Sequence, residues 1–151
     1  MKTKILMVCL GNICRSPLAE GILTSMLDPT IFEVHSAGTG SWHVGSAPDP
    51  RSIATASKKN VDISQQRGKH FSTYDYEIYD HIFVMDKANY RDVIKLAKTD
   101  VERQKVSLIL DELFPEEHKE IPDPYYGGKG GFDDVFNMLH KACEKIVSRL
   151  S

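Results

Sequence analysis

Cysteine is scarce in this 151-residue sequence, and the spacings that bind zinc are missing. The three cysteines, Cys9, Cys14 and Cys143, are an odd and sparse set, which does not indicate a disulfide framework. The sequence contains no Cys-x-x-Cys or His-x-x-x-His pair, so we expect neither a zinc site nor another cofactor. Unpaired thiols are typical of a reducing compartment, and they predict a cytoplasmic protein.

Long apolar runs and an excess of either charge are also missing. The run from Ile5 to Leu10 is too short for a secretory signal, and no stretch approaches the roughly 20 apolar residues that cross a bilayer. Lys and Arg total 19 and Asp and Glu total 21, which gives a net charge of −2. We therefore expect neither nucleic acid nor a membrane as a partner, and any anion site must be local.

The length favours one domain. A chain of 151 residues can bury one core and is too short for two domains, which predicts a single domain over residues 1–151. Apolar residues at 41% and charged residues at 26% are typical of globular proteins. The sequence leaves the oligomeric state open, and a monomer is our expectation.

Short apolar runs alternate with helical patterns along the chain. Ile5–Val8 is a continuous apolar run, as in a strand that is buried on both faces of a parallel sheet. Apolar residues of 17–27 share one helical face, and Ser16 suits the N-cap of that helix, ahead of Pro17. The order predicts an α/β sandwich whose site gathers at the carboxyl ends of its parallel strands. The further predicted elements are strands over 32–36, 81–85 and 106–110, helices over 50–59, 88–97 and 132–150, and mostly loop over 111–131.

The stretch MVCLGNICRSPLAEG, residues 7–21, places a thiol, an arginine and a helix start close together. A loop between a strand and a helix N-terminus turns backbone N–H groups toward one point, where the helix dipole adds positive charge. Gly11 and Asn12 tolerate the backbone angles that this loop needs, and the guanidinium of Arg15 matches two phosphate oxygens. The same groups stabilise a thiolate at Cys9, to which the Ser16 hydroxyl can donate a hydrogen bond. The stretch predicts a phosphate-binding site beside a cysteine nucleophile. Its phosphate-binding residues are Leu10, Gly11, Asn12, Ile13, Cys14 and Arg15.

The signature CLGNICRSPLAE, residues 9–20, resembles that of the low-molecular-weight protein tyrosine phosphatases. The resemblance continues through GTGSWHVGSAPDPRS, VMDKANYRD and IPDPYYGGKGGFDDVF, in the family's order and over nearly the whole chain. It implies a three-layer sandwich, in which a four-stranded parallel sheet of order 2-1-3-4 has helices on both faces. It also implies a metal-independent enzyme that hydrolyses phosphotyrosine monoesters through a cysteinyl-phosphate on Cys9, with Arg15 binding the phosphate.

When phosphotyrosine is hydrolysed, the leaving group is the tyrosyl oxygen, whose phenol has a pKa of about 10. A general acid that protonates this oxygen should accelerate the reaction by ~100-fold or more. Asp123 stands between two prolines that stiffen its loop. From spacing alone, an aspartate before proline is more commonly a turn residue. The resemblance implies that Asp123 is the general acid and then the base that activates water, and a nearby phosphate dianion favours its protonated form.

Three aromatic residues in predicted loops, Trp42, Tyr125 and Tyr126, suggest walls for a flat ring. The resemblance adds Leu10, which follows the nucleophile. A crevice with these walls would select phosphotyrosine over phosphoserine, whose phosphorus could not reach Cys9.

Several further roles are implied by the resemblance. Asn12 and Ser36 hold the loop in shape through side-chain hydrogen bonds. Asp86 is a partner of Arg15 or Ser16, and this role is compatible with its being the N-cap of the helix that follows.

The other two cysteines have different expectations. In the family, a cysteine at the position of Cys14 can form a reversible disulfide with the nucleophile Cys9, but a small side chain that packs the loop would look the same. Both interpretations of Cys14 stay open. Cys143 falls on an apolar helical stripe and is expected in the core.

One stretch departs from the family. Many relatives have His-x-Ala-Arg before the third strand, whereas residues 66–69 here are Gln-Arg-Gly-Lys. The histidine that supports the loop asparagine in the family is therefore missing. His43 is expected to be a solvated loop residue without a role in the reaction.

Three rival functions remain. Arsenate reductases share this fold and loop, but they need two further cysteines for a disulfide relay, and none lies between residues 14 and 143. Protein-arginine phosphatases of the same fold have threonine at the position of Ile13 and lack the Asp-Pro-Tyr-Tyr loop. A non-catalytic phosphotyrosine-binding module would not need the nucleophile, the arginine and the acid together. The expected partner is a phosphotyrosine-containing protein, with a tyrosine kinase among the candidates.

Overall fold

A sheet of four parallel strands forms the centre of the fold. The computed structural model of the chain describes residues 1–126 and 131–151, the side chain of Tyr126 excepted. The strands are β1 (Thr3–Cys9), β2 (Phe32–Gly38), β3 (His81–Val84) and β4 (Val106–Leu108). Their hydrogen-bonded order is β2-β1-β3-β4, and all three neighbouring pairs are parallel, which confirms the predicted sheet.

Helices cover both faces of this sheet. In the described part of the chain they are α1 (Arg15–Met26), α2 (Pro50–Lys58), α3 (Asp75–Ile78), α4 (Lys87–Ile94), α5 (Asp100–Gln104) and α6 (Gly131–Leu150). Because side chains alternate along a strand, Ile5 and Met7 of β1 pack in one core with residues of α1 and α6. Leu6 and Val8 pack in the second core with residues of α3 and α4. The arrangement is the predicted three-layer α/β sandwich.

Most predicted elements are present with shifted ends. The strand predicted over 106–110 ends at Leu108, and a 3₁₀ helix, Ile109–Glu112, follows it. The helices α3 and α5 were not predicted, because elements of 4 and 5 residues are too short to show an apolar period. In its described part, the predicted loop over 111–131 contains a second 3₁₀ helix, Pro124–Tyr126.

The C-terminal helix α6 buries the predicted apolar stripe. Cys143 is fully buried within it, which confirms its expected place in the core. The stripe packs against α1, the helix that begins at the candidate phosphate loop. Removing one buried aromatic such as Phe136 should cost about 3–5 kcal/mol, so this contact strongly stabilises the position of α1. The buried residues on the stripe are Val135, Phe136, Leu139, Ala142, Cys143 and Ile146.

The carboxyl ends of β1, β2 and β3 meet at one edge of the sheet. At the end of β3, the N–H of Ile121 donates a 2.8 Å hydrogen bond to the carbonyl of Met85, which brings residues 121–126 to this edge. At the end of β2, Gly38 lies so close to the loop after β1 that a Cβ there would be 2.9 Å from the carbonyl oxygen of Leu10. The ends of the strands therefore hold the candidate site together.

Candidate active site

A cleft of about 320 Å³ opens where these strands end. It is bounded by three segments: the phosphate loop (residues 9–15), the loop after β2, and the acid loop (residues 121–126). The structure therefore brings the predicted nucleophile, the predicted arginine and the predicted acid into one cleft. Its lining residues are Cys9, Leu10, Gly11, Ile13, Cys14, Arg15, Trp42, His43, Asp123 and Tyr125.

Helix α1 begins at Arg15, earlier than the sequence predicts. Its N-cap residue is Cys14, whose side chain makes no capping hydrogen bond to any described residue. The prediction that Ser16 is the N-cap is wrong, because Ser16 lies inside the first turn and its hydroxyl faces the sulfur of Cys9. The first turn contains no Asp or Glu, so the positive end of the helix dipole is free to act on an anion in the cleft.

The Cys9 sulfur lies at the end of β1, and only 3% of the residue is exposed. The Ser16 hydroxyl oxygen is 3.0 Å from this sulfur and 3.5 Å from the carbonyl oxygen of Ala37. Because the amide of Asn12 donates to the same hydroxyl oxygen at 2.8 Å, Ser16 is left with its own hydrogen to donate. The sulfur is the nearer of the two acceptors within reach of the Ser16 hydroxyl hydrogen.

Asn12 holds the phosphate loop in shape, as the resemblance implies. Its φ of 56° lies in the left-handed region, which asparagine tolerates better than most residues. Its Nδ2 donates to the hydroxyls of Ser16 and Ser36 at 2.8 and 2.9 Å, and its Oδ1 accepts from the N–H of Lys69 at 2.9 Å. The backbone N–H of Lys69 thus supports the asparagine, although residues 66–69 depart from the pattern of the family.

Glu20 extends this network and was missed from the sequence. The Ser36 hydroxyl donates a 2.6 Å hydrogen bond to its Oε1. Burial raises the pKa of the Glu20 carboxyl above its usual value, while the Ser36 hydrogen bond and the nearby His35 act in the opposite direction. A polar residue one helical turn after Ser16, on the same side of α1, was the signal that could have identified it.

Arg15 is almost fully buried, with 2% of its side chain exposed. Its Nη1 donates to Oδ2 of Asp86 at 2.7 Å and to the carbonyl of Ile121 at 2.8 Å. Its Nε has no hydrogen-bond partner within residues 1–126 and 131–151. Since a buried donor is costly without a partner, this nitrogen is suited to an oxygen of a bound ligand.

Asp86 has both of the roles expected for it. While Oδ2 accepts from Arg15, Oδ1 accepts from the N–H of Asn89 at 2.8 Å and caps the N-terminus of α4. The aspartate that starts this helix therefore also orients the guanidinium.

Asp123 faces Arg15 across the cleft. Its Oδ2 is 3.8 Å from Nη2 of Arg15, and 34% of its side chain is exposed. Its Oδ1 accepts a 3.0 Å hydrogen bond from the N–H of Tyr125. The carboxyl group is thus held over the phosphate loop with one oxygen near the guanidinium.

Cys14 is buried beside the cleft and carries a free thiol, as do the other cysteines of the described residues. Burial raises the pKa of the Cys14 thiol to about 12, with further contributions from the carboxylate of Asp49 and from Cys9. Both interpretations of Cys14, the reversible disulfide with Cys9 and the packing of the loop, stay open. At neutral pH, Cys14 is a thiol and not a competing nucleophile.

The rim of the cleft is apolar and exposed. Trp42 is 72% exposed and lies over the backbone of Gly40, where a Cβ would be 1.9 Å from the indole ring. Leu10 and Tyr125 are 43% and 40% exposed. These three residues line the cleft as predicted, whereas the predicted ring of Tyr126 lies outside the described side chains.

His43 was expected to be a solvated loop residue, and it lies in a turn, partly buried. It lines the cleft, with its ring 3.3 Å from the position that a Cβ on Gly11 would take. Its place directly after Trp42 was the signal that could have identified it. Arg51 was also missed: its guanidinium lies over the ring of Tyr125, 5.2 Å from its centroid. Among the described residues, no group of three or more His, Cys, Asp or Glu side chains is placed to bind a metal ion.

Comparison with known proteins gives a consistent result. The model of the family described as "Low molecular weight phosphotyrosine protein phosphatase" matches residues 4–151. The low molecular weight phosphotyrosine protein phosphatase of Schizosaccharomyces pombe is 38% identical, over 98% of this chain and 97% of its own.

Two solved structures superpose closely on the fold. A protein tyrosine phosphatase from Entamoeba histolytica has a TM-score of 0.91 and 33% identity, over 99% of this chain and 97% of its own. The Drosophila arginine phosphatase DARP has a TM-score of 0.87 and 31% identity, over 99% of this chain and 97% of its own. Since the family match spans nearly the whole sequence, the chain belongs to the low molecular weight phosphotyrosine protein phosphatase family.

Proposed function

We propose that this chain hydrolyses phosphotyrosine monoesters through a cysteinyl-phosphate on Cys9. The observation that carries the proposal is the buried guanidinium of Arg15, which is oriented by Asp86 and keeps Nε without a protein partner in the described structure. A buried cation with a spare donor, beside a sulfur and a helix N-terminus, suits an oxyanion better than a neutral ligand.

In the first step, the Cys9 thiolate attacks phosphorus. Arg15 and the backbone N–H groups of residues 10–15 bind the equatorial oxygens and stabilise their charge through the transition state. The Ser16 hydroxyl, 3.0 Å from the sulfur, stabilises the thiolate before attack and when Cys9 becomes the leaving group.

Asp123 completes both steps. It gives its proton to the tyrosyl oxygen as that oxygen leaves, and it then takes a proton from the water that hydrolyses the cysteinyl-phosphate. Its exposed position at the rim, held by the N–H of Tyr125, suits a group that exchanges protons with solvent and substrate.

The shape of the cleft supports phosphotyrosine as the substrate. Cys9 is nearly buried, whereas Leu10, Trp42 and Tyr125 stand exposed above it. A flat ring can pass between these walls and deliver its phosphate to the sulfur, whereas a phosphoserine side chain is too short.

The arginine phosphatase in the comparison supplies a second candidate function, the hydrolysis of phosphoarginine. Ile13 lines the cleft here, and it offers no hydroxyl to a guanidinium group. The exposed aromatic rim favours a ring. The arsenate reductase alternative is weakened by Cys143, which is fully buried and so cannot exchange a disulfide with Cys9.

The test is hydrolysis of a phosphotyrosine peptide, a phosphoserine peptide and phosphoarginine, each in the presence of a metal chelator. We expect turnover of the first, inhibition by vanadate, and loss of activity in the Cys9→Ser variant. Preferential turnover of phosphoarginine would select the second candidate, and binding without turnover would select the non-catalytic module.

Further parts of the proposal concern the setting of the enzyme. The family implies phosphoprotein substrates, and we place a tyrosine kinase among them. We take residues 1–151 to be one domain, a monomer that acts in the cytoplasm, where a catalytic thiol stays reduced. No helix within residues 1–126 or 131–151 is both long and apolar enough to cross a membrane.

A further inference from the structure

Asp49 and Arg51 form a bridge between the phosphate loop and the acid loop. At one end, the N–H of Asp49 donates a 2.8 Å hydrogen bond to the carbonyl of Ile13 in the phosphate loop. At the other end, Nη1 of Arg51 donates a 3.3 Å hydrogen bond to the carbonyl of Tyr125 in the acid loop. The two ends of the bridge therefore contact both segments that carry the reaction.

The two side chains are joined to each other in a fixed geometry. Nε and Nη2 of Arg51 donate to Oδ1 and Oδ2 of Asp49 at 3.0 and 2.9 Å. Oδ1 also accepts from the N–H of Arg51 at 2.8 Å, so that Asp49 is the N-cap of α2. Two parallel bonds orient the guanidinium plane, which a lysine at this position could not achieve.

The oriented guanidinium lies over two aromatic rings. Its central carbon is 5.2 Å from the ring centroid of Tyr125 and 4.7 Å from that of Phe132 in the first turn of α6. Both distances are within the range of cation–π attraction. One side chain thus contacts the wall of the cleft, the backbone of the acid loop and the start of α6.

The backbone of Tyr125 is held on both sides. Its carbonyl accepts from Arg51, and its N–H donates to Oδ1 of Asp123 at 3.0 Å. A shift of this residue therefore moves the carboxyl group that its N–H orients. Arg51 does not line the cleft and has no contact with the reacting atoms, so any effect on the reaction must pass through the acid loop.

We propose that Arg51 is a positioning residue that, locked by Asp49, holds Tyr125 and the general acid Asp123 over the phosphate loop. This inference rests on the proposed function, because it assigns Arg51 a role only if Asp123 protonates the leaving group. Proton transfer requires the carboxyl within hydrogen-bond reach of the leaving oxygen, and a misplacement of about 1 Å can lower the rate by up to ~100-fold.

The experiment compares two esters that differ in their need for an acid. Phenyl phosphate has a poor leaving group that needs a proton, and 2,4-dinitrophenyl phosphate has a good one that leaves without it. The measured quantity is kcat/KM, which reports the formation of the cysteinyl-phosphate. In Arg51→Gln we expect kcat/KM for phenyl phosphate to fall by about tenfold or more, with a change below about threefold for the dinitrophenyl ester.

Lys58→Gln is the matched control. Lys58 is also a cation on α2, and its described ion pair is an exposed one with Asp133 of α6, at 3.1 Å, rather than one with the acid loop. We expect both esters to be hydrolysed by Lys58→Gln at the wild-type rate. Arg51→Lys, which keeps the charge and loses the fork, should resemble Arg51→Gln.

A double-mutant cycle separates positioning from general destabilisation. In an Asp123→Ala background, Arg51→Gln should cause no further loss with phenyl phosphate, because the group that it positions is gone. Equal losses for the two esters, or an additional loss in the Asp123→Ala background, would overturn the role of Arg51. If Asp123→Ala, in the otherwise wild-type enzyme, lowers kcat/KM equally for both esters, the proposed function is overturned, and this inference with it.

Discussion

Arg15 and Asp86 are joined by a 2.7 Å hydrogen bond between Nη1 and Oδ2, although 71 residues separate them in the sequence. This bond ties the helix that follows β1 to the end of β3. Nη1 also donates to the carbonyl of Ile121, whereas Nε has no partner in the described residues. The cation that we propose to bind phosphate is therefore oriented before a ligand arrives.

Loss of this orientation should lower both activity and stability. In Asp86→Ser the short side chain can still cap α4 but cannot reach Arg15, so a hydrogen bond to a charged group worth about 1.5–3 kcal/mol is lost. We expect kcat/KM for p-nitrophenyl phosphate to fall by about 10- to 100-fold and the midpoint of urea unfolding to fall as well, because the buried guanidinium loses its charged partner. Wild-type kcat/KM in Asp86→Ser would contradict the orienting role.

Crowding at the end of β2 gives a second prediction. A Cβ on Gly38 would be 2.9 Å from the carbonyl oxygen of Leu10 and 3.1 Å from the nitrogen of Asn12, so Gly38→Ala must push the phosphate loop aside. We expect kcat/KM to fall by about tenfold or more, because a small displacement of positioned groups is costly. Gly131→Ala is the control, since among the described residues its Cβ would meet Pro124 at an ordinary contact distance of 3.8 Å. Wild-type kcat/KM in Gly38→Ala would show that the phosphate loop accommodates the added methyl group, and it would contradict this prediction.

The three cysteines should differ in reactivity at neutral pH. Burial raises the pKa values of Cys14 and Cys143 to about 12, so at pH 7 only about one molecule in 10⁵ has either thiol ionised. Iodoacetamide should modify Cys9 first. Inorganic phosphate should slow that modification, because it binds to the phosphate loop and covers the sulfur. Peptide mapping by mass spectrometry after limited alkylation checks this order. Modification of Cys14 as fast as Cys9 would contradict it.

The buried carboxyl group of Glu20 should make the free energy of unfolding depend on pH. Burial raises its pKa above the usual value of 4.5, so the native state binds this proton more tightly than the unfolded chain does. The stability that the protonated group contributes is present below 4.5 and is lost as the pH rises through the higher native pKa. Glu20→Gln keeps an acceptor for the Ser36 hydroxyl and cannot ionise. Its free energy of unfolding, relative to that of the wild type, should therefore rise from about pH 4.5 to pH 7.

Urea unfolding at a series of pH values measures this difference. Glu77→Gln, a change at an exposed position on α3, is the matched control and should follow the wild type. Curves for Glu20→Gln and the wild type that stay parallel over the whole range would show that burial of Glu20 has no energetic consequence.

The features that the sequence predicts well are local or repeated. The strand order followed from the resemblance, and the alternation of strands with helices indicated the layers. Cys9 and Arg15 could be placed together because a strand end, a short loop and a helix start lie within a few residues. The misassigned N-cap shows the limit of this reasoning, since Ser16 suits a cap but its hydroxyl faces a sulfur that only the folded loop brings near.

The features that the sequence did not predict depend on contacts between distant segments. Arg51 and Tyr125 are 74 residues apart, and no periodic pattern marks a cation that stacks on one ring of the cleft wall. Glu20 lies in the quoted signature, but its acceptor role depends on where β2 places Ser36. The short helices α3 and α5 have too few residues to show a periodic signal.

The central claim is that Cys9 accepts the phosphoryl group. The Asp123→Ala variant should form the cysteinyl-phosphate from p-nitrophenyl phosphate and hydrolyse it slowly, because the base for the second step is missing. Rapid quenching followed by peptide mass spectrometry should find the phosphoryl group on Cys9 and no phosphorylated peptide in Cys9→Ser. Phosphate on any other residue, or continued release of p-nitrophenol by Cys9→Ser, would contradict the account.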